Sequence, residues 1–274
     1  MSWYGFFKVP FRAMVRFGYG ARAVGEENIP TTGPVILAGN HIGAADTFVM
    51  PALIKRKVTF PAKAEMFTGR GGPMTKLVAW FLKAVGQVPL DRSGGRASAD
   101  GLGPILDVLE QGGVAGIFPE GTRSPDGRMY KGKTGVARLA LASGAVVIPV
   151  AVRDSQFTGK RLGIPWADHP VITFGRPLDF SDYAWGENDR AVLRWVTDEV
   201  MAAIQQLTGQ VYVNAYATSV KYGGMSEEEA LRRIASRPGG GPAPLPPAPQ
   251  EPASLPPAAE DPASQGPAAE DAAS

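Results

Sequence analysis

The chain has 274 residues, 44% of them hydrophobic, with two histidines and no cysteine. Its length suits one sizeable core with appendages. The missing cysteines exclude disulfides, thiolate catalysis and cysteine-held metals, and two distant histidines without an HExxH pattern argue against a zinc site.

The net charge of +2 hides an asymmetry. Beyond Arg237 there are five acids and no base, which leaves 28 basic against 21 acidic residues before that point, a net +7. This bias suits a phosphorylated substrate or an anionic membrane surface. No nucleic-acid partner is expected.

Residues 1–22 hold Trp3, Tyr4, Phe6, Phe7, Phe11, Met14 and Phe17 beside Lys8, Arg12, Arg16 and Arg22, with no acid before Glu26. Aromatics mixed with cations suit an amphipathic segment lying among lipid headgroups. The alternative is a helix packed on its own domain. No apolar run reaches transmembrane length, and no small-residue cleavage site follows a long apolar core. A peripheral place on the cytoplasmic face of a cell membrane is therefore expected.

From there, short β-rich runs alternate with longer helical ones. Residues 35–38, 58–61, 87–90, 114–118, 146–152 and 171–174 read as strands; 47–55, 73–85, 98–110, 135–142 and 189–208 read as helices. That alternation predicts an α/β fold, a mainly parallel sheet flanked by helices, over a domain at 23–210. An extension at 211–237 contains one short helix, 226–236, opened by a capping box from Ser226 to Glu229. Residues 238–274 form a Pro/Ala-rich acidic tail with a near-repeat, too poor in apolar residues to order itself.

His41 follows the apolar run 35–38 and precedes Asp46 by five residues. The carboxyl end of a strand is where open α/β sheets place ligands. There an imidazole held at one nitrogen by Asp46 can take a proton from a substrate hydroxyl with the other. The alternative is a turn histidine beside a helix-capping aspartate. Three more segments bear on the choice. Gly86-Gln87-Val88-Pro89-Leu90-Asp91-Arg92 is a strand ending in a charged pair. Phe118-Pro119-Glu120-Gly121-Thr122-Arg123-Ser124 follows another strand. Val146-Val147-Ile148-Pro149-Val150 is a strand whose proline marks an edge or a bulge. Arg92 and Arg123 sit past strand ends, as His41 does, and guanidinium pairs bidentately with phosphate.

In order and spacing these four segments resemble the four blocks of the glycerophospholipid acyltransferase superfamily, the 1-acylglycerol-3-phosphate acyltransferases in particular: NHxxxxD, GxxxxDR, FPEGTRS and a VIPV-type block. Gly25-Glu26-Glu27-Asn28-Ile29-Pro30 and Ala62-Lys63-Ala64-Glu65-Met66-Phe67 are similar too, and the likeness runs from about residue 20 to 180. Gln87 and Pro89 depart from the residues usual in the second block.

The resemblance implies acyl transfer from a thioester of coenzyme A or acyl-carrier protein to the hydroxyl of lysophosphatidic acid, without a cofactor and without a covalent acyl-enzyme. His41 would be the general base and Asp46 its orienting group. Arg92, Glu120, Gly121 and Arg123 would bind the acceptor, with Lys63 as a further phosphate contact. Pro149 would serve the acyl donor or shape the site. A simpler reading of Glu120 is a loop carboxylate paired with a nearby arginine. Glycerol 3-phosphate or another lysophospholipid is the alternative acceptor, and a catalytically silent membrane-binding protein the alternative of another class. Residues Gly127 to Thr134 fit the P-loop pattern GxxxxGK[ST], but no strand runs into Gly127 and no magnesium-binding strand end follows, so nucleotide hydrolysis is not expected.

Overall fold

The structure is a computed structural model that describes residues 9–84, 87–90, 101–161 and 164–247. In chain order its strands are β1 (Arg22–Val24), β2 (Val35–Gly39), β3 (Val58–Thr59), β4 (Pro61–Lys63), β5 (Val88–Leu90), β6 (Val114–Ile117), β7 (Met129–Tyr130), β8 (Val146–Arg153), β9 (Phe157–Arg161), β10 (Ile164–Ala167), β11 (Val171–Phe174), β12 (Tyr212–Val213) and β13 (Ile234–Ala235). The α-helices are α1 (Asp46–Leu53), α2 (Pro73–Ala84), α3 (Gly103–Glu110), α4 (Gly135–Ser143), α5 (Arg190–Thr208), α6 (Ala217–Lys221) and α7 (Glu227–Leu231).

Six strands form the main sheet in the order β1-β11-β8-β2-β6-β3, parallel throughout except for the pair β11 and β8. β2 is buried along its whole length, as a strand covered on both faces must be. Alternation along it feeds two cores. Ile36 and Ala38 meet Ile105 and Leu109 of α3, Val136 and Leu139 of α4, and Val192, Val196 and Val200 of α5. Val35 and Leu37 meet Val49, Met50 and Leu53 of α1, with Val15 and Tyr19. α1 carries Pro51 in its interior, which costs a helix about 3 kcal/mol. Burial of Val49, Met50 and Leu53, at roughly 1.5–3 kcal/mol each, outweighs that cost.

The register sets the height of the site. Ala38 of β2 pairs with Ile117 of β6 and with Pro149 of β8, so the carboxyl ends of these three strands come out side by side. Asn40 extends the pairing by one residue through its side chain. Its amide nitrogen donates to Val152 O at 3.1 Å and its oxygen accepts from Val152 N at 2.7 Å.

Several expectations change. The 87–90 strand lies outside the main sheet and pairs instead with β4 in a separate two-stranded sheet. Pro149 lies in an internal strand, because β8 has neighbours on both sides. The irregularity it marks is in β11, whose ladder stops at Phe174 opposite Val150; Gly175 N–H still donates to Pro149 O at 2.8 Å, and beyond this gap in the ladder the chain pairs with β8 again at the Val147–Leu178 bridge. Val147 N–H points to Leu178, so the N–H that proline lacks two residues on would face this gap. The segment 211–237 is built into the domain, since β12 pairs with β7. The capping box at Ser226 is present, but α7 ends at Leu231 and the chain turns back so that β13 pairs with β12. The described residues up to Pro244 form one compact unit. Of the tail, residues 238–247 form neither helix nor strand, and 248–274 lie outside the described residues.

At the other end, residues 1–8 lie outside the described residues, and 9–18 are helical and packed in part on the domain itself. Val15 and Tyr19 are buried in the core, whereas Val9 and Phe17 are 73% and 83% exposed. Among the described residues no helix is long and apolar enough to cross a membrane.

Candidate active site

His41 leaves the end of β2 and Asp46 opens α1. The Asp46 carboxylate does not cap its helix; it reaches backward. Its Oδ2 lies 2.7 Å from His41 Nδ1 and accepts from the backbone N–H of Ile42 at 2.9 Å and of Gly43 at 3.0 Å. Ser155 donates to its other oxygen, Oδ1. Asp46 is 0% exposed, and the His41 side chain is 17% exposed. A carboxylate only accepts, so the proton of this pair sits on Nδ1 and the lone pair on Nε2. Among the described residues nothing bonds Nε2.

The loop after β6 grips His41 from the other side. His41 N–H points to Glu120 Oε1 at 3.4 Å, and His41 O accepts from Ser124 N at 2.8 Å. The Phe118 ring stacks on the imidazole at 4.1 Å and 11° between planes, and Phe60 stacks on Phe118 at 5.5 Å. Gly116 makes room for this arrangement, because a Cβ there would run into the Phe60 ring. Gln87 contributes as well: its side-chain oxygen accepts from Phe60 N at 2.7 Å, which ties the second block to the aromatic stack.

Glu120 is 1% exposed. It pairs with no arginine among the described residues. Its Oε2 accepts from Tyr130 N at 2.9 Å, so the side chain bridges the His41 turn and β7. Burial pushes its carboxyl from an ordinary 4.5 up to about 8, against the pull of the Tyr130 and His41 amides. It therefore belongs to the site as a brace and presents no open face to an acceptor. Gly121, at φ +74°, closes the turn from Phe118 with its N–H on Phe118 O at 2.9 Å. That positive φ is what glycine permits. The turn sends Glu120 inward and leaves Arg123 exposed, without an acidic partner among the described residues.

The remaining expected residues are more scattered. Lys63 ends β4, beside Leu90 of β5. Arg92 lies outside the described residues. Pro149 touches Gly175, where a Cβ would come within 2.8 Å of its ring, and the same point meets Leu207 of α5. It thus packs on the α5 side of the sheet. The P-loop-like segment contains β7 itself, and the Lys133 amide is spent on Pro119 O at 2.7 Å. Among the described residues no group of three or more His, Asp or Glu could hold a metal ion.

The family model described as Acyltransferase matches residues 21–153. A 1-acyl-sn-glycerol-3-phosphate acyltransferase of Borreliella burgdorferi is 31% identical over 190 residues, which cover 67% of this chain and 71% of that protein. The chain belongs to the glycerophospholipid acyltransferase superfamily. A chloroplast 1-acyl-sn-glycerol-3-phosphate acyltransferase of Arabidopsis thaliana is 30% identical over 57% of this chain, and the chain spans 41% of that longer protein. The crystal structure of a 1-acyl-sn-glycerophosphate acyltransferase from Thermotoga maritima superposes with a TM-score of 0.53 at 22% identity, over 74% of this chain and 79% of that one. It shares the fold.

Glu120 generates a prediction about stability. A carboxyl raised to about 8 in the folded protein stabilises it fully below the ordinary value of 4.5, and the contribution is lost as pH rises through about 8. Denaturation midpoints of the wild type should therefore fall between about pH 5 and pH 8 by a component that Glu120→Gln lacks. Parallel pH profiles for the two proteins would contradict the buried, protonated brace.

Proposed function

We propose that the chain moves a fatty acyl group from an acyl thioester to the free hydroxyl of 1-acylglycerol 3-phosphate, giving phosphatidic acid. The observation that carries this reading is the imidazole fixed at Nδ1 by a buried carboxylate, with no partner on Nε2 among the described residues. Nε2 takes the proton of the acceptor hydroxyl as its oxygen attacks the thioester carbonyl. The tetrahedral intermediate then collapses, the C–S bond breaks, and the departing sulfur takes that proton from Nε2. Asp46 stabilises the imidazolium in between and holds the ring in one tautomer. No side chain is acylated. The donor is a thioester of coenzyme A or of acyl-carrier protein.

Arg123 gives the acceptor phosphate a cation at the rim of the site, and Arg92 and Lys63 belong to the same proposed set. Lys133 stands close by, its side chain 3.1 Å from the point where a Gly121 Cβ would lie. Two or more cations favour a phosphate monoester over a neutral hydroxyl lipid.

The acceptor is a lipid, and the proposed location is the anionic cytoplasmic face of a membrane. Support comes from the N-terminal helical segment, which buries Val15 and Tyr19 in the domain and turns Phe17 and Arg16 outward. Its anchoring in the core means that the surface is tested by point substitution, since deletion would also remove Val15.

In an acyl-transfer assay with a panel of acceptors, His41→Ala should lower the rate about 10²–10⁴-fold with the fold intact, the usual loss for a general base. Asp46→Asn should cost less. Arg123→Ala should raise the acceptor KM while sparing kcat. Near-wild-type turnover by His41→Ala would end the mechanism, and equal rates on phosphorylated and unphosphorylated acceptors would end the acceptor assignment.

Phe17→Ser with Arg16→Ser should reduce co-sedimentation with anionic vesicles, and added salt should weaken wild-type binding only in part. Each cation near such a surface contributes about 1 kcal/mol, while the aromatic contributes burial that salt does not screen. Undiminished pelleting of the double variant would move the contact elsewhere on the protein.

A further inference from the structure

The dyad rests on a residue outside all four sequence blocks. β8 ends at Arg153, and the next residue, Asp154, takes φ +55°, a left-handed conformation that only a minority of non-glycine residues adopt. This turn carries Ser155 back over the end of β2, where it is 0% exposed. Its hydroxyl donates to Asp46 Oδ1. The approach is possible because residue 43 is glycine: a Cβ there would lie 2.7 Å from the Ser155 carbonyl carbon and 2.9 Å from its Oγ.

The bonds on Asp46 are divided unequally. Oδ2 holds the imidazole and two backbone amides, whereas Oδ1 has Ser155 alone among the described residues. A carboxylate held only at Oδ2 can still swing about its Cβ–Cγ bond, and that swing moves Oδ2 off the line to Nδ1. A donor on Oδ1 stops it. Ser155 thus comes from the third parallel strand of the site, β8, to lock a carboxylate on α1 against an imidazole after β2.

We propose that Ser155 is a positioning residue of the His41–Asp46 pair, holding the Asp46 carboxylate in the one rotation that orients the imidazole for proton transfer. This rests on the acyl-transfer reading given above, and its test includes a measurement that needs no turnover.

The chain's second imidazole, His169, is 74% exposed, so its ring N–H exchanges freely with water. A slowly exchanging, far-downfield imidazole N–H signal in protein labelled with ¹⁵N-histidine therefore belongs to His41 Nδ1. Ser155→Ala removes the hydroxyl; Ser155→Cys keeps the volume and offers only a weak donor. In both variants that signal should broaden or vanish, and kcat should fall about 10-fold with the acceptor KM little changed, a partial loss of the general-base contribution. A sharp wild-type signal in both variants overturns the proposal, even where kcat falls, because the loss would then follow from stability alone. If the wild type turns over no acceptor, the acyl-transfer reading fails, while the signal still decides the place of Ser155.

Discussion

A carboxylate removed from water loses several kcal/mol of hydration unless the protein replaces it. Asp46 is fully buried, so the geometry around it is dictated by the need for donors. Two amides of the Ile42–Gly43 turn, the imidazole Nδ1 and the Ser155 hydroxyl meet that need. The consequence is directional. Once the carboxylate has absorbed these donors, the imidazole keeps one nitrogen, Nε2, without a partner among the described residues. The proposed reactivity at Nε2 follows from electrostatic satisfaction at Nδ1.

The parallel sheet makes this cluster possible. Because β2, β6 and β8 run in register, their exits deliver His41, the Phe118–Ser124 loop and Ser155 to one height without a long excursion of chain. Asn40 holds the β2 and β8 exits together with its side-chain amide. The β6 loop clamps both backbone groups of His41 through Glu120 and Ser124. The Phe60–Phe118 stack fixes the ring plane. A ring bounded at its backbone, its face and one nitrogen has few rotations left, and positioning of this kind can lower a barrier by several kcal/mol.

Much of this was legible in the sequence because hydrophobic period is a local signal. The buried runs of β2, β6, β8 and β11 and the helices α1, α2, α4 and α5 fall within a few residues of their expected places, whereas α3 opens at Gly103 and residues 98–100 of its expected span lie outside the described residues. The His41–Asp46 contact was legible too, since residues five apart across a strand-to-helix turn can meet only if the second reaches back. Other features were hidden because they depend on distant partners. Glu120 looked like a ligand carboxylate, and nothing local reveals that its oxygens face the amides of His41 and Tyr130. The 87–90 run has strand character, but its partner is β4. Ser155 carries no motif; the one hint was a glycine at position 43, which only the structure shows to be a clearance for β8. The exposed strand β9 and the three-residue β1 lack the apolar alternation that would announce them.

The proposed transfer is direct, from thioester to hydroxyl by a base held in place, with no acyl group ever resting on the protein. Rapid mixing of the purified chain with a radiolabelled acyl thioester, quenched with and without lysophosphatidic acid, tests it most directly. Under direct transfer, thiol release should depend on the acceptor, match phosphatidic acid mole for mole, and leave no label on the protein. A stoichiometric burst of thiol without acceptor, with acyl label bound to the chain, would contradict it.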